Sequence, residues 1–314
     1  FWGNIAKDLY WYKPWLKVNR EDFAKAELEW FIGGKTNLSY NCLDYQIEKG
    51  RGDKTAIIFQ GEPDEDVKKI TYKEMLSLVS KFANVLKKKG VHKGDRVAIY
   101  LPMIWQLPVV MMACTRIGAV HTIIFGGFSA EALRDRVLDA GAKVLVTGNG
   151  YWRGGKTVNS KANADRACEL CLAQGHTVDK VIVVNRLADL DVPMQEGRDT
   201  WFEDEMAATD IDDNCPAEMM DAEDPLFILY TSGSTGRPKG VMTEHRNLVG
   251  LLFNDRFVFD FGAEDVWTYF HSYCFDFSCW ELYNSLLKGG RLIIIAPEAV
   301  KDLSLYLEII KKEK

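Results

Sequence analysis

From about residue 55 onward, short β-branched runs alternate with stretches whose apolar residues recur every three or four positions, which predicts βαβ units around mostly parallel sheets. The first unit runs from a strand over 56–59 through a helix near 73–89 to a strand over 97–102. Met75, Leu78, Phe82 and Leu86 share one face of that helix, and Gly90 stops it. A helix near 105–117 and a strand over 120–125 follow. Ser129 then serves as N-cap of a helix that Gly141 closes, and a strand covers 143–147. Beyond a Gly-rich turn (Gly148, Gly150, Gly154, Gly155), a helix near 159–173 feeds a strand over 179–185.

Residues 186–224 turn acidic and loop-like around Pro193 and Pro216, which places a boundary there. The expected division is an N-terminal flank over 1–50, rich in Trp and Tyr, a first α/β subdomain over 51–222, and an incomplete second one over 223–314. The last block offers strands over 226–231, 266–270 and 291–297 and helices near 247–253, 278–287 and 302–312, and it ends before a sheet could close. The fold class is α/β, with mostly parallel sheets and flanking helices.

Composition narrows the function classes. With 47% hydrophobic, 27% charged and 12% aromatic residues, the chain is an ordinary globular sequence rather than a disordered, collagen-like or solenoid one. Lys and Arg number 39 against 45 Asp and Glu, so no basic field draws it to nucleic acid or an anionic membrane. No apolar run reaches the roughly 18 residues of a membrane span, no signal peptide opens the chain, and a cytoplasmic location is expected. Seven cysteines, an odd and scattered set, suit reduced thiols. The text begins at Phe1 without an initiator methionine and closes on a charged helical stretch, so it reads as an excerpt of something longer.

The chemistry concentrates in Tyr230-Thr-Ser-Gly-Ser-Thr-Gly-Arg-Pro-Lys-Gly240, which follows an apolar strand. A polyphosphate needs close backbone approach, many N–H and O–H donors and fixed positive charge. Gly233, Gly236 and Gly240 allow the approach, Thr231, Ser232, Ser234 and Thr235 offer hydroxyls, and Arg237 and Lys239 bring charge on either side of Pro238. Gly/Ser composition also suits a flexible linker, but a linker has no use for Arg-Pro-Lys-Gly at the end of a buried strand. The nucleoside triphosphatase P-loop requires Ser or Thr after Gly-Lys, whereas Gly240 follows Lys239. A dinucleotide fingerprint at Gly148-Asn-Gly150 fails because Arg153 stands where the third glycine belongs.

YTSGSTGRPKG resembles the phosphate-binding signature of the adenylate-forming ligases, the superfamily of acyl-CoA synthetases, peptide-synthetase adenylation domains and luciferases. Its one departure is Arg237 where lysine is common. The resemblance implies the large N-terminal domain of the acyl-CoA synthetase-like fold, truncated here. It makes Thr231, Ser232, Gly233, Ser234, Thr235, Gly236 and Lys239 ATP phosphate-binding residues, with Thr235 and Lys239 catalytic. Over about 20–230 the text is similar to acetyl-CoA synthetases, in WFIGGKTNLSYNCLD, GDRVAIYLPM, IIFGGFSAEALRDR and YWRGGKTV. In that family the Arg-Gly-Gly-Lys turn contacts coenzyme A, which nominates Arg153, Gly154, Gly155 and Lys156; the same text also fits a solvated basic turn. Phe125-Gly-Gly-Phe-Ser129 reads first as a tight strand-to-helix turn with a capping serine.

Over about 225–314 the text looks like an amino-acid adenylation domain, through GVMTEHRNLVGLL and VWTYFHSYCFDFSCWELYNSLLKGGRLIIIAP. That resemblance sets Asp276 against a substrate's α-ammonium, with Phe277 and Trp280 lining a pocket similar to that of threonine-activating domains. The alternative is that Phe275, Phe277 and Trp280 are core aromatics of a helix start that Asp276 caps.

Other signals carry less. Cys168 and Cys171 share a helical stretch without a second pair, Gly233-Ser-Thr-Gly236 is no nucleophile elbow, and His92, His121, His176, His245 and His271 show no metal-ligand spacing. The implied reaction has a small carboxylic acid, or an amino acid, attack the α-phosphate of ATP with Mg²⁺ bridging the phosphates. The acyl adenylate then passes to coenzyme A, and no residue of the chain is singled out as a metal ligand. These families place their adenine-binding segment, a metal-binding glutamate and a lysine-bearing C-terminal domain beyond the point where this text ends. The 314 residues alone are therefore expected to have little ligase activity.

Overall fold

In the computed structural model the chain is described at every position except 23, 26, 64, 232–238, 254–258, 297–298, 301 and 314. The first half of the main body runs β1 (Thr55–Gln60), β2 (Val67–Thr71), α1 (Tyr72–Lys88), β3 (Arg96–Tyr100), α2 (Gln106–Arg116), β4 (Val120–Ile123), α3 (Ala130–Ala140) and β5 (Val144–Gly148). It continues with β6 (Tyr151–Arg153), β7 (Lys156–Val158), α4 (Ser160–Leu172), β8 (Lys180–Val184) and β9 (Asp199–Trp201). The last part holds β10 (Pro225–Thr231), β11 (Lys239–Glu244), α5 (His245–Leu252), β12 (Val266–Tyr269), α6 (Asp276–Lys288), β13 (Arg291–Ile295) and α7 (Leu303–Glu313).

Seven strands form one sheet in the order β9-β8-β5-β3-β4-β10-β11, parallel throughout except for the edge pair β10–β11. Four form a second sheet, β12-β13-β1-β2, parallel except for β1–β2. The expected α/β class with mostly parallel sheets and flanking helices is what the chain adopts.

Successive strand residues face opposite sides of a sheet, and here both sides are covered. Val97, Ile99, Val146 and Ile182 join the core of Met75, Phe82, Val109 and Met112 from α1 and α2. Their neighbours Ala98, Tyr100, Leu145 and Val181 join Leu133, Val137, Ala164 and Ala167 of α3 and α4. Burial on two faces explains why these strands read as unbroken apolar runs.

Helix ends are set locally. Thr71 and Glu74 form a reciprocal capping box at the start of α1. Ser129 accepts from the Ala132 amide at the start of α3, and Gly141 ends it at φ 62°, a left-handed conformation that glycine adopts without strain.

Residues 1–50 pack on the body through two buried polar anchors. Arg116 grips Asp44 with both guanidinium nitrogens at 2.7 and 2.9 Å, and Asn37 Nδ2 donates to the carbonyls of Thr115 and Glu218, each at 2.9 Å. Both sheets draw strands from either side of residues 222/223. β10 and β11 extend the sheet of β3–β5, β8 and β9, while β12 and β13 join β1 and β2. Among the described residues, the strands of the last block extend two sheets begun upstream.

Candidate functional site

The winding of the large sheet reverses at β3, because β4 lies on one side of it and β5 on the other. In open α/β sheets ligands bind outside the carboxyl ends of strands at such a switch point. A cleft of about 340 Å³ lies there. Its wall comes from segments that directly follow strands: Pro102 and Met103 after β3, Phe125, Gly126 and Gly127 after β4, and Tyr151–Arg153 after β5. The second sheet adds Glu62 after β1, Phe270, Ser272 and Tyr273 after β12, and Ile295 at the end of β13.

Arg153 and Lys156 face each other as register partners across the β6–β7 hairpin. The turn between them is Gly154 and Gly155 at φ +58° and +71°. A two-residue turn of this kind requires positive φ at both centres, which only glycine supplies without strain. The Arg153 guanidinium lies 5.8 Å from the ring centre of Phe125. A Cβ on Gly127 would stand 2.6 Å from the Arg153 Nη1, so glycine there is what lets the cation approach the turn. Tyr151 donates its hydroxyl to the Gly126 carbonyl at 2.9 Å, and Trp152 stacks under Arg186, 5.0 Å from its ring centre. Arg186 in turn holds Glu62 at 2.6 Å and Asp66 at 2.5 Å, tying the hairpin to the second sheet.

Sequence reasoning ranked a capping turn at Phe125–Ser129 ahead of direct ligand contact. Ser129 does cap α3, yet Phe125, Gly126 and Gly127 also line the cleft with Arg153. The signal available beforehand was the paired glycine, which admits a close neighbour.

The ATP phosphate-binding residues lie partly outside the described residues: Ser232, Gly233, Ser234, Thr235 and Gly236 are not described. The residues on both sides are. Thr231 ends β10, Lys239 begins β11, the two are Cα partners in the antiparallel register, and both are exposed. β10 runs parallel to β4, so Thr231 leaves the sheet at the same edge as Phe125–Gly127. Tyr230 fixes this exit, donating to Asp139 at 2.7 Å while Arg136 lies over its ring. Burial first, and hydrogen bonding to Asp139 second, push the Tyr230 phenol above its ordinary range, so it stays a neutral donor.

Asp276 and Phe277 open α6 and are exposed. Phe275, not Asp276, holds the N-cap position, and the Asp276 carboxylate accepts from the Phe277 amide at 3.0 Å. Phe277 stacks on His271, whereas Trp280 packs against Trp267 and Phe261, with ring centres 4.7 and 5.7 Å apart. Of the aromatic residues expected either in a pocket or in the core, Trp280 is packed against core rings, and Phe275 and Phe277 are at the surface. Cys279 is buried and Cys274 half-buried, and desolvation pushes both thiols up to about 12, which suits packing rather than nucleophilic chemistry.

The AMP-binding enzyme family matches residues 43–314, and the acetyl-coenzyme A synthetase N-terminus family matches residues 1–42. An acetyl-coenzyme A synthetase of Rubrobacter xylanophilus is 49% identical over 303 residues, covering 94% of this chain and 45% of that protein. Acetyl-coenzyme A synthetase 2 of Pseudomonas aeruginosa is 42% identical over 100% of this chain and 48% of its own length, so the likeness runs through both halves of the sequence. Among solved structures, acetoacetyl-CoA synthetase from Streptomyces lividans superposes with a TM-score of 0.82 at 26% identity, over 94% of this chain and 44% of that one. The chain spans about half the length of the curated relatives it matches. On these matches, it belongs to the AMP-binding enzyme family.

Proposed function

We propose that the protein takes part in AMP-forming activation of a small carboxylate, acetate, and its transfer to coenzyme A. The observation that carries this reading is the shared edge: the exit of β10 toward the phosphate loop and the cleft beside Arg153 open at the carboxyl ends of neighbouring parallel strands. An acyl adenylate made at the first can then meet a thiol delivered along the second.

In this reading the loop from Thr231 to Lys239 wraps the triphosphate. Lys239 and the loop hydroxyls offset charge at the α-phosphorus as the carboxylate attacks and pyrophosphate departs. Arg153 and Lys156 meet a phosphate of coenzyme A, and Phe125 and Trp152 offer ring faces to its base. Mg²⁺, which the resemblance implies, would add positive charge beside the triphosphate. Among the described residues no three His, Cys, Asp or Glu side chains gather as a metal site. Among the described residues no helix is long and apolar enough to cross a membrane.

Acetate is favoured over an amino acid because the matched relatives are named acetyl-coenzyme A synthetases at 42–49% identity. The experiment is ATP–pyrophosphate exchange on the complete gene product with acetate and with threonine. Acetate-dependent exchange is expected; exchange driven by threonine alone would replace this reading with amino-acid adenylation.

A further inference from the structure

One buried carboxylate beside the cleft has no part in the chemistry above. Glu281 lies on α6 and is only 6% exposed, yet among the described residues no lysine or arginine pairs with it. Its Oε1 sits 2.7 Å from His271 Nδ1, and its Oε2 accepts from the backbone amides of Phe270 and His271, each at 3.2 Å. A carboxylate oxygen facing Nδ1 selects the tautomer with its proton on that nitrogen, which leaves the imidazole lone pair on Nε2. The ring is held on two further sides, stacked on Phe277 at 5.1 Å and edge-on to Phe270 at 5.4 Å, while 43% of the side chain stays open to solvent.

This arrangement orients a proton acceptor. The same segment lines the cleft: Phe270, whose ring touches the imidazole, and Ser272 and Tyr273 just beyond it. Tyr273 donates to the Leu101 carbonyl, which fastens the segment to the end of β3. The other groups at this corner are Asp276, beside Phe277 on α6, and Tyr306 of α7, which meets Phe270.

We infer that His271, oriented by Glu281, is the proton acceptor for the incoming thiol in the second half-reaction. The inference rests on the acid–thiol ligation proposed above. Nε2 takes the thiol proton as sulfur bonds to the acyl carbon. The acyl carbon–oxygen bond to AMP breaks, its electron pair stays on the phosphate oxygen, and the imidazolium is stabilised by Glu281 until its proton passes to water. His271 is then a catalytic residue, and Glu281 is a positioning residue that acts through it.

Two measurements test this. On the 314-residue chain, ¹⁵N NMR of the histidine side chains should show His271 as the Nδ1–H tautomer, and Glu281→Gln should redistribute it. On the complete gene product, His271→Gln should lower acyl-CoA formation at least tenfold more than it lowers pyrophosphate exchange. That gap should narrow as pH rises toward the thiol's own ionisation, where thiolate forms without a base, and Glu281→Gln should fall between wild type and His271→Gln. Equal losses in both half-reactions, or a gap that pH leaves untouched, overturn the inference. Absence of acetate-dependent exchange in the wild type would instead overturn the proposed function, so the two failures are distinguishable.

Discussion

Two hairpins reach the reaction edge, and they are built in opposite ways. In β6–β7 the turn is two glycines, the cations Arg153 and Lys156 are register partners, and Phe125, Gly126 and Arg186 hold the strands from below. In β10–β11 the root is buried while the outer strand, which begins at Lys239, is an exposed sheet edge. The contrast teaches that glycine next to a cation is not one structural signal. In the first hairpin local backbone geometry fixes the cations before any ligand arrives; in the second the described cation, Lys239, stands exposed at the start of an edge strand.

The comparison breaks most easily at Lys239. Lys239→Ala, or a double change of Ser232 and Thr235, should reduce acetate-dependent pyrophosphate exchange at least tenfold, since one preorganised donor is worth about a hundredfold in rate. Wild-type exchange in these variants would remove the loop from the chemistry. Next, Arg153→Ala removes a charge-assisted contact of about 1.5–3 kcal/mol, so the apparent KM for coenzyme A should rise about tenfold or more. An unmoved KM would leave the first hairpin a solvated basic turn.

A third substitution separates charge from conformation. A Cβ at Gly155 meets nothing within 4 Å, so Gly155→Val acts only through its left-handed backbone, at a cost of roughly 1–2 kcal/mol. Affinity for coenzyme A should fall about tenfold with both cations still present, as read by calorimetry.

The buried root of the second hairpin gives a smaller, pH-dependent effect. His121 of β4 packs 5.6 Å from Phe227 of β10, and His245 follows β11. Desolvation first, and His245 second, pull His121 down to about 3, and desolvation pulls His245 down to about 4. The unfolded chain takes up these protons near pH 6.5 and the folded chain only near 3–4, so their contribution to stability is full above pH 6.5 and is lost as pH falls. Replacing both by Gln should flatten the fall in unfolding free energy from pH 6.5 to 5, read from urea titrations, by roughly 1–2 kcal/mol for each histidine. An unchanged slope would mean that these rings are protonated in the fold. The smallest effect belongs to Asp276→Asn, which should leave acetate activation within about twofold because acetate offers no ammonium for its carboxylate.

The large sheet was legible because its strands are buried on both faces and its helices carry their own stop signals, as at Ser129 and Gly141. What escaped was short or one-sided. β11, with the text KGVMTE, is exposed over most of its length, and β6 and β7 have three residues each, too few for a period-two pattern to show. The loop residues were nominated by composition, since phosphate chemistry demands glycine, hydroxyl and cation together. Phe125–Gly127 were not singled out as cleft residues, because their approach to Arg153 joins turns that follow different strands. The Glu281–His271 pair was equally hidden, as its partners are ten positions apart in sequence and meet only when α6 packs against the end of β12.

The central claim is that the carboxyl edge of the parallel strands is the ligand surface, with the first hairpin already formed to receive coenzyme A. Amide hydrogen exchange of the 314-residue chain with and without coenzyme A tests it directly. The account predicts slowed exchange concentrated in Phe125–Ser129 and Tyr151–Val158, with little change at the opposite ends of the same strands. Protection at those opposite ends, or none at Tyr151–Val158 while the ligand demonstrably binds, would contradict it.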